Sequence, residues 1–213
     1  MNLVGHVAVA VRCAPVASPE YLAGSMLPDL AAMARVHLAQ AGGDLGDGVA
    51  VHHAADAAFH SSRWFNDRNQ ELRDALLDVG VDRGAARACA HAGLEMLLDG
   101  GLVADARVRR ASDEAFGILT ARGATRDAVR ELAPPDHRER WGERLQLIGT
   151  SIDIRDYRSP DAIAHRLHRM TSGRRRIELP AAQVTAVSGQ LARFQPAVLA
   201  DADAVVADVV ASV

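Results

Sequence analysis

With 213 residues, 49% of them apolar, the chain is long enough to bury a core without disulfides. A formal charge of −3 is too small to imply nucleic acid or a membrane as partner on electrostatic grounds. The basic side chains are all arginine, Cys13 and Cys89 form no CxxC pair, and no apolar run nears the ~20 residues that span a bilayer. A reducing, cytoplasmic setting is expected. The opening MNLVGHVAVAVRCAPVAS is apolar and ends in small residues. It lacks a basic leading segment and is broken by His6 and Arg12, so a secretory leader is not expected.

In chain order, SMLPDLAAMARVHLAQAGG places Pro28 near a helix start and closes on Gly42-Gly43. GVAVHHAADAAFH is Ala-rich and predicts a helix. SSRWFNDRNQELRDALLDVG offers serine caps and then Leu72, Leu76 and Leu77 on one face. DRGAARACAHAGLEMLLDGG predicts a helix from Asp82 to Gly100-Gly101. ASDEAFGILTARG has a weak capping signal at Ser112. PPDHRERWGERLQLIGTS starts after a proline pair, and SPDAIAHRLHRMTSG has Ser159 as cap with Pro160 at the first helical position. From Pro180 to Val213 the apolar spacing is helical, with Pro196 expected to kink or break it. Only GHVAVAVR and RRRIEL alternate with period two, each briefly. The pattern predicts a single compact all-α domain over residues 1–213, joined by short connections.

P-loop, GxGxxG, GxSxG and zinc-finger cysteine patterns are missing. What stands out is the use of histidine: His6, His37, His52, His53, His60 and His91 all lie in the first 91 residues. His52, Asp56 and His60 are spaced i, i+4, i+8, which on a helix puts them on one face, a turn apart; His53 sits one step off that line. His91, Glu95 and Asp99 repeat the spacing. Such lines belong either to solvated polar stripes or to two halves of a metal site. An imidazole and carboxylate shell suits Mn, Fe, Zn or Mg. The arginine-rich HRLHRMTSGRRRIEL reads either as a solvated face or as a dock for an anionic partner.

Taken together, these segments resemble the acyl carrier protein phosphodiesterase family, which is helical and related to the HD-type metal-dependent phosphohydrolases. MNLVGHVAVA resembles the family's opening and singles out His6. YLAGSMLPDL singles out Asp29. HHAADAAFH is similar to the family's His-x-x-x-Asp stretch, matching His52 and Asp56, although the family often has a carboxylate where His60 stands and an arginine where His53 stands. HAGLEMLLDG falls where family members carry two aspartates four apart, followed by histidine; here those positions hold His91, Glu95 and Met96. Near the C-terminus, IRDYRSPDAIAHRLHRMTSGRRRIEL and RFQPAVL keep the family's Tyr-Arg, arginine-rich and Phe-x-Pro positions.

The resemblance implies an HD-like arrangement and a divalent metal, Mn in first place with Fe, Zn or Mg as alternatives. The metal would be held by His6, Asp29, His52 and Asp56, with His91 or Glu95 completing the set. It implies hydrolysis of the phosphodiester that joins 4′-phosphopantetheine to holo acyl carrier protein. His53, His60 and Asp56 are then the expected catalytic groups, contacting phosphate or moving a proton. Arg166, Arg169, Arg174, Arg175 and Arg176 are the expected docking face for an acidic carrier. Rival readings are a phosphohydrolase of a nucleotide or other small phosphate ester, and a non-catalytic helical binding module. The apolar C-terminal segment is expected to pack inward or against a second copy in a homodimer.

Overall fold

The computed structural model of the chain describes residues 1–121 and 123–213. The helices are α1 (Leu3–Cys13), α2 (Pro19–Ala34), α3 (Gly43–Ser61), α4 (Arg63–Asp78), α5 (Arg83–Leu102), α6 (Ala106–Thr120), α7 (Ala124–Glu131), α8 (Arg138–Ser151), α9 (Pro160–Thr171) and α10 (Val184–Val210). Short 3-10 turns lie at Pro135–His137, Ile154–Arg158 and Ala181–Gln183. The all-helical expectation holds: there is no strand among the described residues, and they form a single compact domain.

Helix α1 organises the rest. Every residue from Leu3 to Val11 is buried, and α2, α3, α5, α6 and α10 pack around it. A helix that is apolar on all sides is stable only when wrapped in this way. The brief alternation of GHVAVAVR therefore does not produce a strand. Val4, Ala8 and Val9 join one core with α4, α5, α9 and α10. Leu3, Val7, Ala10 and Val11 join a second core with α2, α6 and α8, so α1 is the wall between the two.

Several helix starts follow their sequence signals. Ser62 caps α4 by accepting from the Phe65 N–H, Ser159 caps α9 by accepting from Ala162, and α5 begins after Asp82. Others do not. Helix α2 starts at Ser18, which accepts from the Tyr21 N–H, with Pro19 in the first position. Pro28 thus lies inside α2, and the helix ends at Arg35 rather than at the glycine pair. An interior proline costs about 3 kcal/mol. Burial of Met26, Leu27 and Leu30, worth about 1.5–3 kcal/mol each, outweighs it. The same reasoning keeps α10 continuous through Pro196, flanked by buried Leu191, Val198 and Ala202. That helix buries its apolar stripe within the chain itself. Ser112 is buried in mid-helix, because Asp105 caps α6 instead, accepting from Arg107 and Val108. Leu77 is exposed, since it lies off the face shared by Leu72 and Leu76. The segment RRRIEL is an irregular turn, and α7 carried no clear signal.

Candidate metal centre

The His52 and Asp56 side chains of α3 face the start of α1, where His6 and the Met1 amino group meet them. What brings them there is a close crossing of α2 and α3 at two glycines. A Cβ on Gly48 would stand 2.1 Å from the Tyr21 carbonyl oxygen, and one on Gly24 would stand 2.2 Å from that of Leu45. At this separation the Nδ1–H of His52 donates to the Ser25 carbonyl at 2.8 Å. That bond fixes the ring and leaves Nε2 as the acceptor, the usual support of a ligating histidine. The buried carboxyl of Asp99 seats α1 on α5 by accepting from the N–H groups of Val4 (3.0 Å) and Gly5 (2.8 Å).

Ligand atoms of His6, Asp29 and His52, from three different helices, all lie within 4.8 Å of one another. The His6 and His52 rings stack at 3.7 Å, and His6 Nε2 lies 3.8 Å from Asp29 Oδ2. Ligand atoms of His60, His91 and Glu95 form a second such group. Here Nε2 of both imidazoles approaches the same Glu95 Oε1, at 3.0 Å from His60 and 3.2 Å from His91. Asp56 stands between the groups, with Oδ1 3.7 Å from His6 Nε2 and Oδ2 3.3 Å from His60 Nδ1. The Met1 amino group donates to Asp56 Oδ1 (2.9 Å) and Glu95 Oε1 (3.1 Å).

The expected ligands therefore converge, but not as one shell. His91 and Glu95 join His60, and His6, Asp29 and His52 gather on the far side of Asp56. Nor does Asp99 extend the His91–Glu95 line into the site, because its carboxyl is turned to the α1 backbone. His53 is exposed, edge-on to His52 at 5.3 Å, and lines a cleft of about 890 Å³ with Leu27, Pro28, Val36, Leu38 and Val49. Pro28 and His53 of this lining are the chain neighbours of Asp29 and His52, which do not themselves line it. His37 and Arg35 also line it.

The expected docking arginines do not share this position. Arg166 lays its guanidinium over the Tyr157 ring at 5.5 Å, while Arg169, Arg174, Arg175 and Arg176 are exposed. The Arg176 carbonyl lies against Gly84 at the start of α5. At 1.5 Å per residue that is about 10 Å along the axis from His91 and about 17 Å from Glu95.

The electrostatics follow from burial and pairing. Burial pushes Asp29 up to about 7, with Glu95 and Asp56 adding to the rise. Burial takes His52 down to about 4 and His6 well below its ordinary value, so both are neutral imidazoles near pH 7. Asp56 and Glu95 would also be raised by burial. Hydrogen bonds from His60 and the Met1 ammonium override this in both, with His91 adding to the effect at Glu95, and hold the two carboxylates below their usual range. His60, bonded to Asp56 and then Glu95, is raised to about 9.

The residues fit a divalent ion. Asp29 Oδ2 and His6 Nδ1 are buried without a hydrogen-bond partner, a costly state unless something else satisfies them. Neutral imidazoles and carboxylates are the donor types that transition ions take. Sequence reasoning missed the supports: Gly24, Gly48, the Ser25 carbonyl and Phe65, which presents its ring to both His60 and His91. Gly48, the first residue of the predicted helix GVAVHHAADAAFH, was the one available signal, since Gly24 precedes the segment predicted as helical. No protein-family model, no curated protein and no solved structure matches the chain.

Proposed function

We propose that this chain is a metal-dependent phosphodiesterase, with the 4′-phosphopantetheine ester of holo acyl carrier protein as its substrate. The observation that carries the reading is the convergence of His6, Asp29 and His52, beside Asp56, on the helices α2 and α3 that also line an apolar cleft. A divalent ion held there supplies charge neutralisation on the phosphoryl oxygens and activation of water. The remaining work falls to the chain. The Ser25 carbonyl orients His52, and the α2–α3 crossing holds Asp29 and His52 within reach of one phosphate. Leu27, Val36, Leu38 and Val49 exclude water along the cleft, which suits a long, weakly polar arm. His53, exposed at the cleft wall, contacts the phosphate or returns a proton to the leaving alkoxide. The order of the short motifs, which resembles that of the acyl carrier protein phosphodiesterases, agrees with an HD-like hydrolase and with Mn as the ion.

One observation favours a second reading, a smaller phosphate ester. Arg176 meets α5 at Gly84, about 10–17 Å along the helix axis from His91 and Glu95, and none of the five arginines lines the cleft. The test is release of phosphopantetheine from holo carrier protein by Mn-loaded protein, run beside a panel of small phosphodiesters. Release that His52→Ala and Asp29→Asn reduce to background supports the carrier substrate. Hydrolysis confined to the small esters selects the second reading. Hydrolysis of neither by metal-loaded protein overturns both.

A further inference from the structure

We propose that His60, His91 and Glu95 form a second, separate cation site, for a borderline divalent ion of the Zn²⁺ class, next to the first across Asp56. The inference rests on the metal-dependent reading above and extends it to a two-ion centre.

The geometry is that of a built site. The two imidazoles come from different helices, α3 and α5, yet their rings lie parallel to within 17° with centroids 5.0 Å apart. The buried Phe65 ring stands edge-on to both, at 4.8 Å from His60 and 5.1 Å from His91. Both Nε2 atoms point at Glu95, a carboxylate with only 12% of its side chain exposed. His60 Nδ1 donates to the Asp56 carbonyl at 3.0 Å, as His52 Nδ1 does to that of Ser25. In each group one histidine, His52 or His60, thus commits Nδ1 to a backbone oxygen, the support expected of a ligating histidine.

Two imidazoles and one carboxylate match the three-ligand sets that hold zinc and similar ions with a position left open. A hard ion such as Mg²⁺ prefers oxygen ligands and several retained waters. His91, with 47% of its side chain exposed, gives the site access to solvent.

The test is Zn²⁺ stoichiometry by elemental analysis of the full chain after gel filtration. Wild type is expected to hold two equivalents. His91→Ala should hold one, and His52→Ala, which disrupts the other group, should also hold one. His91 is largely solvent-facing, so its loss should leave the fold intact by circular dichroism. Should that variant still unfold, the near-isosteric Glu95→Gln repeats the measurement. Wild type that binds one equivalent or none, or two that neither His91→Ala nor Glu95→Gln reduces, overturns the second site. Phosphodiester hydrolysis measured on the same samples separates the two ideas. Activity with one ion per chain leaves the hydrolase reading standing without the second site, whereas two ions and no hydrolysis leave the site without the reading.

Discussion

Replacing Gly48 by alanine tests whether the α2–α3 crossing makes the metal centre. The added Cβ would meet the Tyr21 carbonyl at 2.1 Å and the backbone at Gly24 and Ser25 at 2.9 and 3.0 Å. Ordinary contact begins at 3.4 Å, so the helices must part by 3.4 − 2.1, or 1.3 Å, at this point. The obstacle is backbone, which cannot rotate away as a side chain would. A shift of that size stretches the 2.8 Å bond from His52 to Ser25 beyond hydrogen-bonding range. Overpacking costs about 1–3 kcal/mol, and an unpaired buried imidazole N–H about 1–3 kcal/mol more. A loss of roughly 2–5 kcal/mol in urea unfolding is therefore expected. Divalent-metal affinity by calorimetric titration should fall about 10–100-fold, as when the support of a ligand is removed. Gly189→Ala is the control. Nothing lies within 4 Å of its added Cβ, and a helix-interior glycine replaced without strain should gain about 0.5–1 kcal/mol. If Gly48→Ala matched wild type in both stability and metal affinity, the claim that this crossing positions His52 would be wrong.

In metal-free protein the His60 ring should titrate near pH 9 by NMR, and Asp56→Asn or Glu95→Gln should move it toward 6.5. Its folded pKa is raised, so the stability it contributes is complete below about pH 6.5 and is lost as pH rises through 9. Asp99, which burial raises to about 8, acts in the same direction between about pH 4 and 8. Unfolding midpoints of the metal-free chain should accordingly fall from pH 6 to pH 9, and a rise over that interval would contradict both assignments. Asp99→Ala leaves the Val4 and Gly5 N–H groups buried and unpaired, for a loss of roughly 2–5 kcal/mol in denaturant unfolding, with Asp99→Asn milder. A triple Arg174→Ala, Arg175→Ala, Arg176→Ala variant should lower kcat/KM at low salt if the substrate is a carrier protein docked there, and leave turnover of small phosphodiesters unchanged.

What the sequence determined by itself was whatever depends on a few neighbouring residues. The helical class, the caps at Ser62 and Ser159 and the shared face of His52, Asp56 and His60 all follow from local periodicity and capping chemistry. Pro28 and Pro196 misled for the same reason: a local penalty of one lost hydrogen bond is visible in the sequence, and the burial that outweighs it is not. Which ligands would meet was likewise decided by packing. His6, Asp29 and His52 sit on three helices, and their meeting depends on Gly24 and Gly48 letting two backbones nearly touch. Asp99 continues the His91–Glu95 line in sequence but is turned away by the two N–H groups of α1, contacts across 94 and 95 residues of chain. Spacing along one helix assigns a face to each ligand, and only the approach of the other helices decides what that face meets.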